Sequence, residues 1–188
     1  ARDNRLAARE PSKDVRLIAS YLLRRNVDVD HIDSAVTGYV PEVMAEKVAE
    51  RKPRLVAIPG SGFNPSAATQ MMPGVRAFAD AIKKRNPDVP ILVAGTHAAA
   101  LPAMTLITEP AVDYVCDGEG PITVFELSEA LKAGGRKEDI RKVRSLCFRE
   151  GRWFTQTLAA PLLDLSQEHV TPEAWELMPP TDYYAHNW

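Results

Sequence analysis

Ile91-Leu92-Val93-Ala94-Gly95-Thr96-His97 is the stretch that decides the fold. Four apolar residues in a row, two of them β-branched, read as a strand buried on both faces. The strand runs directly into a glycine, a threonine and a histidine. In an open α/β sheet, ligands gather at the carboxyl ends of the strands, where small residues let backbone approach. Ile91–Ala94 is therefore read as a central strand and its following turn as a binding edge. Two further turns are expected on that edge: Pro59-Gly60-Ser61-Gly62-Phe63-Asn64-Pro65 and Asp117-Gly118-Glu119-Gly120.

The flanking sequence alternates helix and strand. Apolar residues at 15, 17–19 and 21–23 have helical spacing. Val27 to Ile32 nearly alternates and reads as a short strand near the sheet edge. A helix runs from Pro41 to about Lys52, and Leu55–Ile58 is a second apolar strand. Residues 59–73, rich in Gly, Pro, Ser and Asn, read as a long connection of the kind that carries function. A helix follows from about Pro73 to Asn86. After His97 come small residues and a short helix to about Thr108, then a strand over 112–116. A helix from Pro121 to about Ala133 is stopped by Gly134-Gly135. Beyond it, Val143–Arg149 and Trp153–Thr157 flank Glu150-Gly151-Arg152 as a hairpin. Residues 158–188 have little periodicity and read as an extended linker. The alternation gives an α/β, flavodoxin-like (Rossmann-like), doubly wound parallel sheet, followed by a small β-hairpin and that linker. The chain opens on a helix where such a fold first places a strand; that strand either lies upstream or is absent, and a fragment is the favoured reading.

Composition narrows the partners. The chain has 188 residues, 45% hydrophobic and 26% charged, with net charge −2, which is ordinary for a globular domain. There is no basic run interleaved with aromatics, so no nucleic-acid footprint, and no apolar run approaches a membrane span. Residues 1–16 hold five Arg or Lys and three acids, which is no signal peptide. Cys116 and Cys147 stand 31 positions apart, outside any Cys-x-x-Cys pattern. They leave a disulfide open, but two buried thiols of a cytoplasmic protein are the favoured reading.

None of the three glycine turns is Gly-x-Gly-x-x-Gly or a Walker loop, which argues against a dinucleotide or nucleoside triphosphate. Asp117 and Glu119 could serve as paired carboxylates, but an acid at a helix start already has a role in balancing the helix dipole. No catalytic residue and no metal ligand is assigned.

Taken in order, Gly62-Phe63-Asn64, Ala81-Ile82-Lys83 with Asn86-Pro87-Asp88-Val89-Pro90, Val93–His97 with Leu101-Pro102, Val112–Val115 and Gly118-Glu119-Gly120 form a recognisable set. It resembles the cobalamin (B12)-binding domain at the front of cobalamin-dependent radical S-adenosylmethionine enzymes. Arg144 to Trp153 is similar to that family's hairpin. Leu163-Asp164-Leu165, Ala174–Leu177 and Tyr183 are similar to its linker into a radical barrel. The family has two glycines where Ala94-Gly95 stands, and a second acid where Pro121 stands.

Residues 1–12, polar and arginine-rich, read as an arm, and the resemblance, which covers about 13–188, implies a cobalamin-binding domain over 13–135 and a hairpin and linker over 136–188. It implies cobalamin with its nucleotide tail displaced from cobalt. Ser61, Gly62, Phe63, Asn64, Ala94, Gly95, Thr96, His97, Gly118, Glu119 and Gly120 are the residues it places at the cofactor. Ala94 and Gly95 would leave room for the tail, and Ser61 and Thr96 would offer it hydroxyls. His97 would touch the corrin amides or cap its own turn. No histidine has Asp two before and Gly three after, so no histidine ligand to cobalt is expected. The iron–sulfur cluster needs clustered cysteines that this chain lacks. The cluster and S-adenosylmethionine are therefore expected in a barrel domain of the same protein, with methyl transfer or related carbon-skeleton chemistry as the reaction. Two other readings are a flavodoxin-like regulatory module without corrin and a small-molecule transferase using the same edge.

Overall fold

A computed structural model describes residues 10–61 and 65–184. The elements run α1 (Lys13–Leu23), α2 (Ser34–Thr37), α3 (Pro41–Arg51), β1 (Val56–Pro59), α4 (Pro65–Arg85), β2 (Ile91–Ala94), α5 (Thr96–Ala100) and α6 (Pro102–Thr108). They continue β3 (Tyr114–Cys116), α7 (Pro121–Lys132), α8 (Lys137–Ile140), β4 (Leu146–Glu150), β5 (Trp153–Gln156) and α9 (Pro172–Glu176). Proline opens α3, α6, α7 and α9, where its missing N–H costs nothing.

The five strands lie in sequence order. β1, β2 and β3 are parallel, with Val56 opposite Ile91 and Val93 opposite Val115. The hairpin β4–β5 continues the same sheet antiparallel, with Val115 opposite Cys147 and Glu150 opposite Trp153. Gly151 turns the hairpin at φ +63°.

β2 is buried along its whole length and feeds two cores. Ile91 and Val93 face α3, α4, α5 and α6, meeting Val48, Val75, Ile82 and Leu106. Leu92 and Ala94 face α1, α7 and α8, meeting Ile18, Leu22, Leu127 and Ile140. Helices on both faces bear out the doubly wound α/β class. The period-2 alternation of Cβ atoms also separates the cysteines. Cys147 shares a face with Val115, and Cys116 faces the other core, so no disulfide joins them. Burial pushes both thiols above their ordinary pKa.

Two local expectations are corrected. The helix expected from Pro73 begins at Pro65, so the long connection over 59–73 is much shorter. Pro73 removes one backbone donor inside α4. Ala68 and Met72 extend the buried stripe of Val75, Ala79 and Ile82 back past the proline, and that packing holds the extra turns. The strand expected over Val27–Ile32 does not form. Its valines pack against the α1–α7 side of the core, but among the described residues no neighbouring strand takes up its backbone groups.

That segment carries a titration consequence. The His31 Nε2 atom is buried without a partner. Burial holds the His31 pKa below its ordinary value, while Asp33 and Asp30 oppose the shift. A histidine that loses proton affinity on folding leaves stability intact above its unfolded pKa of about 6.5, and costs stability as pH falls below that. The thermal midpoint is therefore expected to fall more steeply between about pH 7 and pH 5 in the native chain than in His31→Gln. Equal slopes would show that His31 is not the group responsible.

The segment after the hairpin lies along α1. Glu168 pairs with Arg24 and with Arg25, the latter at 2.7 Å. The Thr171 N–H donates to Ser20 Oγ at 3.0 Å, and Arg16 donates to the Met178 carbonyl at 3.2 Å. Arg16 also stacks on the Trp175 ring, 3.5 Å from its centroid, and the Tyr183 hydroxyl donates to Asp33. No described helix is long and apolar enough to cross a membrane.

Candidate functional site

The carboxyl ends of β1, β2 and β3 meet along one edge. β1 passes into Gly60, whose N–H donates to the Ala94 carbonyl at 2.7 Å. Gly95 follows at φ +127°, and a Cβ built there would lie 2.7 Å from both the carbonyl carbon and the oxygen of Gly60. The two strand ends therefore touch backbone to backbone, and neither raises a side chain above the edge. This gives Gly95 a structural reason independent of any ligand. The Ala94 side chain turns into the core against α1 and α7.

Thr96 opens α5 and is exposed. His97 Nδ1 is hydrogen-bonded to Thr69 Oγ1 of α4 at 2.9 Å, which fixes the ring beside the edge. Ser61 is half-buried at the start of the next connection. Gly62, Phe63 and Asn64 lie outside the described residues.

The third turn follows β3. Gly118 N–H donates to Cys116 Sγ at 3.4 Å, and a Cβ on Gly118 would lie 2.8 Å from Ser145 Oγ. Gly120 caps α7 at φ +105°, where a Cβ would meet Ile18 Cδ1 at 2.9 Å. Glu119 is exposed and accepts from the Leu163 N–H at 2.8 Å. Asp117 is held by Gln156 Nε2.

A pocket of about 210 Å³ lies at this turn, lined among others by Asp117, Glu119, Thr123, Ser145, Ala160 and Leu163. A wider hollow of about 470 Å³ lies at the opposite edge, between Lys52–Arg54 and Arg85–Pro90, away from the strand carboxyl ends. Sequence reasoning found the glycines and Glu119 but missed Ser145 and the residues of 159–163. The first stands out only by its φ of +52°, and the others belong to a stretch without periodicity. Among the described residues, no group of three His, Cys, Asp or Glu side chains is placed to hold a metal ion.

The family model of the B12 binding domain matches residues 6–128, which contain all three turns. The chain belongs to the B12-binding domain family. The sequence's resemblance to a cobalamin-binding domain is thus borne out. The chain is 29% identical over 162 residues to an anaerobic magnesium-protoporphyrin IX monomethyl ester cyclase of Synechocystis, covering 86% of this chain and 30% of the cyclase. It is 26% identical over 164 residues to an uncharacterized methyltransferase of Pyrococcus horikoshii, covering 87% of this chain and 33% of that protein. This B12-binding domain thus spans about a third of the length of the curated relatives it matches. Its fold is also that of TsrM from Kitasatospora setae, a radical S-adenosylmethionine methyltransferase solved with cobalamin and a 4Fe–4S cluster bound. The TM-score is 0.69 at 16% identity, over 93% of this chain and 30% of that one.

The residues at the edge fit a corrin. A macrocycle needs backbone it can approach closely, and Gly60 and Gly95 bring the ends of β1 and β2 into backbone contact at this edge. Its carboxamide arms need both donors and acceptors, and the pocket beside Gly118 is lined by two carboxylates and two hydroxyls.

Proposed function

We propose that this B12-binding domain holds cobalamin with the nucleotide tail displaced and no histidine below the cobalt, as the cofactor domain of a cobalamin-dependent radical S-adenosylmethionine enzyme. The observation that carries the reading is a glycine-floored edge lying inside a matched B12-binding region. Residues 13–135 would form the cofactor-binding unit, and 136–188 the hairpin and linker toward a radical barrel. The iron–sulfur cluster and S-adenosylmethionine would belong to that barrel. The nature of the relatives, a cyclase and two methyltransferases, supports methyl transfer or related carbon chemistry as the reaction of the whole protein. Two buried free thiols suit the cytoplasm.

When bound, the cofactor supplies a cobalt centre that can accept and give up a methyl group. The protein's work is to seat it. Gly60 and Gly95 hold the ends of β1 and β2 together at the edge that would carry it. Thr96, and Ser61 beside it, offer hydroxyls to the cofactor's periphery. His97, steadied by Thr69, faces the same edge as a donor or acceptor for an amide, rather than as a metal ligand.

The lower face of cobalt is open to a direct test. The electron paramagnetic resonance spectrum of the domain loaded with cob(II)alamin is expected to lack axial nitrogen splitting. A triplet splitting that disappears in His97→Ala would instead make His97 the ligand.

A further inference from the structure

The pocket at the carboxyl end of β3 has two walls of different origin. Asp117 to Thr123 form one, within the matched family region. Residues 159–163 form the other, more than thirty positions beyond the end of that region. This second wall is fixed at three points. Ser145 N–H donates to the Leu158 carbonyl at 2.7 Å, Ala160 N–H donates to Ser145 Oγ at 2.9 Å, and Leu163 N–H donates to Glu119 at 2.8 Å. Ser145 adopts φ +52°, rare for a serine, and Gly118 leaves the space its hydroxyl fills. Such backbone strain persists only where the surroundings enforce it. Leu158 and Leu162 stay 84% and 85% exposed and Leu163 is only half-buried, so burial of leucines alone does not account for the wall's position.

Size and chemistry say what the pocket takes. At about 210 Å³ it is below the roughly 300–1,000 Å³ of sites that enclose a whole small molecule. It admits an arm of a ligand and excludes a macrocycle. Glu119 engages Leu163 through one carboxylate oxygen and keeps the other as an acceptor. Ser145 accepts from Ala160 and keeps its hydroxyl proton to donate. Acceptor, donor and small apolar walls from Ala159 and Ala160 match a primary carboxamide on a short aliphatic stem.

We infer that residues 159–163 are part of the cofactor site, closing this pocket around one carboxamide arm of the corrin, and that Glu119 positions them through Leu163. The inference rests on the cobalamin reading above, and it adds a wall from outside the matched family region.

Hydrogen–deuterium exchange of the 188-residue chain with and without hydroxocobalamin tests it. Amides of 159–163 are expected to slow on binding together with those of 117–123. Ala160→Leu, which fills the pocket, is expected to weaken hydroxocobalamin binding about tenfold or more while the thermal midpoint holds. If the native chain binds no hydroxocobalamin, the cobalamin reading itself falls. If it binds, but exchange over 159–163 is unchanged, the wall is only structural and the inference is overturned, whether or not Ala160→Leu folds. Native-like affinity in a folded Ala160→Leu would overturn it equally.

Discussion

Gly95→Ala is expected to destabilise the domain by about 2–4 kcal/mol, the sum of a strained backbone and an overpacked contact. At φ +127° a side chain is unfavourable whatever surrounds it. Here the new Cβ would also sit 2.7 Å from the backbone of Gly60, which cannot rotate away as a side chain would. Gly60 is itself held by its hydrogen bond to Ala94, so relief of the clash would pull β1 and β2 apart at the site edge. Gly74→Ala is the matching control. Gly74 lies in α4 with nothing within 4 Å of an added Cβ, and alanine there is expected to be neutral or stabilising by up to about 1 kcal/mol. Urea denaturation of both variants measures the difference. A Gly95→Ala protein as stable as Gly74→Ala would mean that the Gly60–Gly95 contact is loose.

Arg149→Met is expected to cost about 2–5 kcal/mol, because several acceptors lose their donor together. The guanidinium of Arg149 reaches from β4 beneath α6. It donates to the Val112 carbonyl at 2.6 Å, to the Glu109 carbonyl at 3.2 Å and to the Leu106 carbonyl. Those residues are almost fully buried, so water cannot readily replace the lost donor. Methionine keeps much of the aliphatic stem and removes the donors, which isolates the polar contribution. Calorimetric unfolding at neutral pH reads the loss. A change below about 1 kcal/mol would show that solvent reaches these carbonyls after all.

The central strand was the most legible part of the sequence. Ile91–Ala94 is continuous and apolar because both its faces meet helices, and the composition records that directly. The glycine turns were legible for a related reason, since at Gly95 the positive φ and the close approach of the Gly60 backbone leave no room for a side chain. The start of α4 was harder to see. Pro73 and Gly74 carry the marks of a break, while the burial of Ala68 and Met72 that outweighs them depends on strands far along the chain. Val27–Ile32 shows the opposite case: the alternation is present, but a strand is a property of a pair, and among the described residues no partner strand lies beside it. The second wall of the pocket was invisible for a third reason. Ala160 and Leu163 are placed by hydrogen bonds to Ser145 and Glu119, 15 and 44 positions away, and leave no local pattern.

The same long-range bonds connect the candidate site to the rest of the chain. Leu163 is tied to the site edge, Glu168 to the end of α1, Met178 to Arg16 and Tyr183 to Asp33. The segment that leaves the pocket is thus anchored along the whole of α1 before it reaches the last described residue.

Isothermal titration of the purified 188-residue chain with hydroxocobalamin, followed in parallel by visible absorbance, addresses the central claim most directly. Saturation at one cofactor per chain, with the spectrum of cobalamin freed from its own nucleotide base, is the expected result. A folded chain that gives no heat and leaves the cofactor spectrum unchanged would contradict the assignment of this edge to cobalamin.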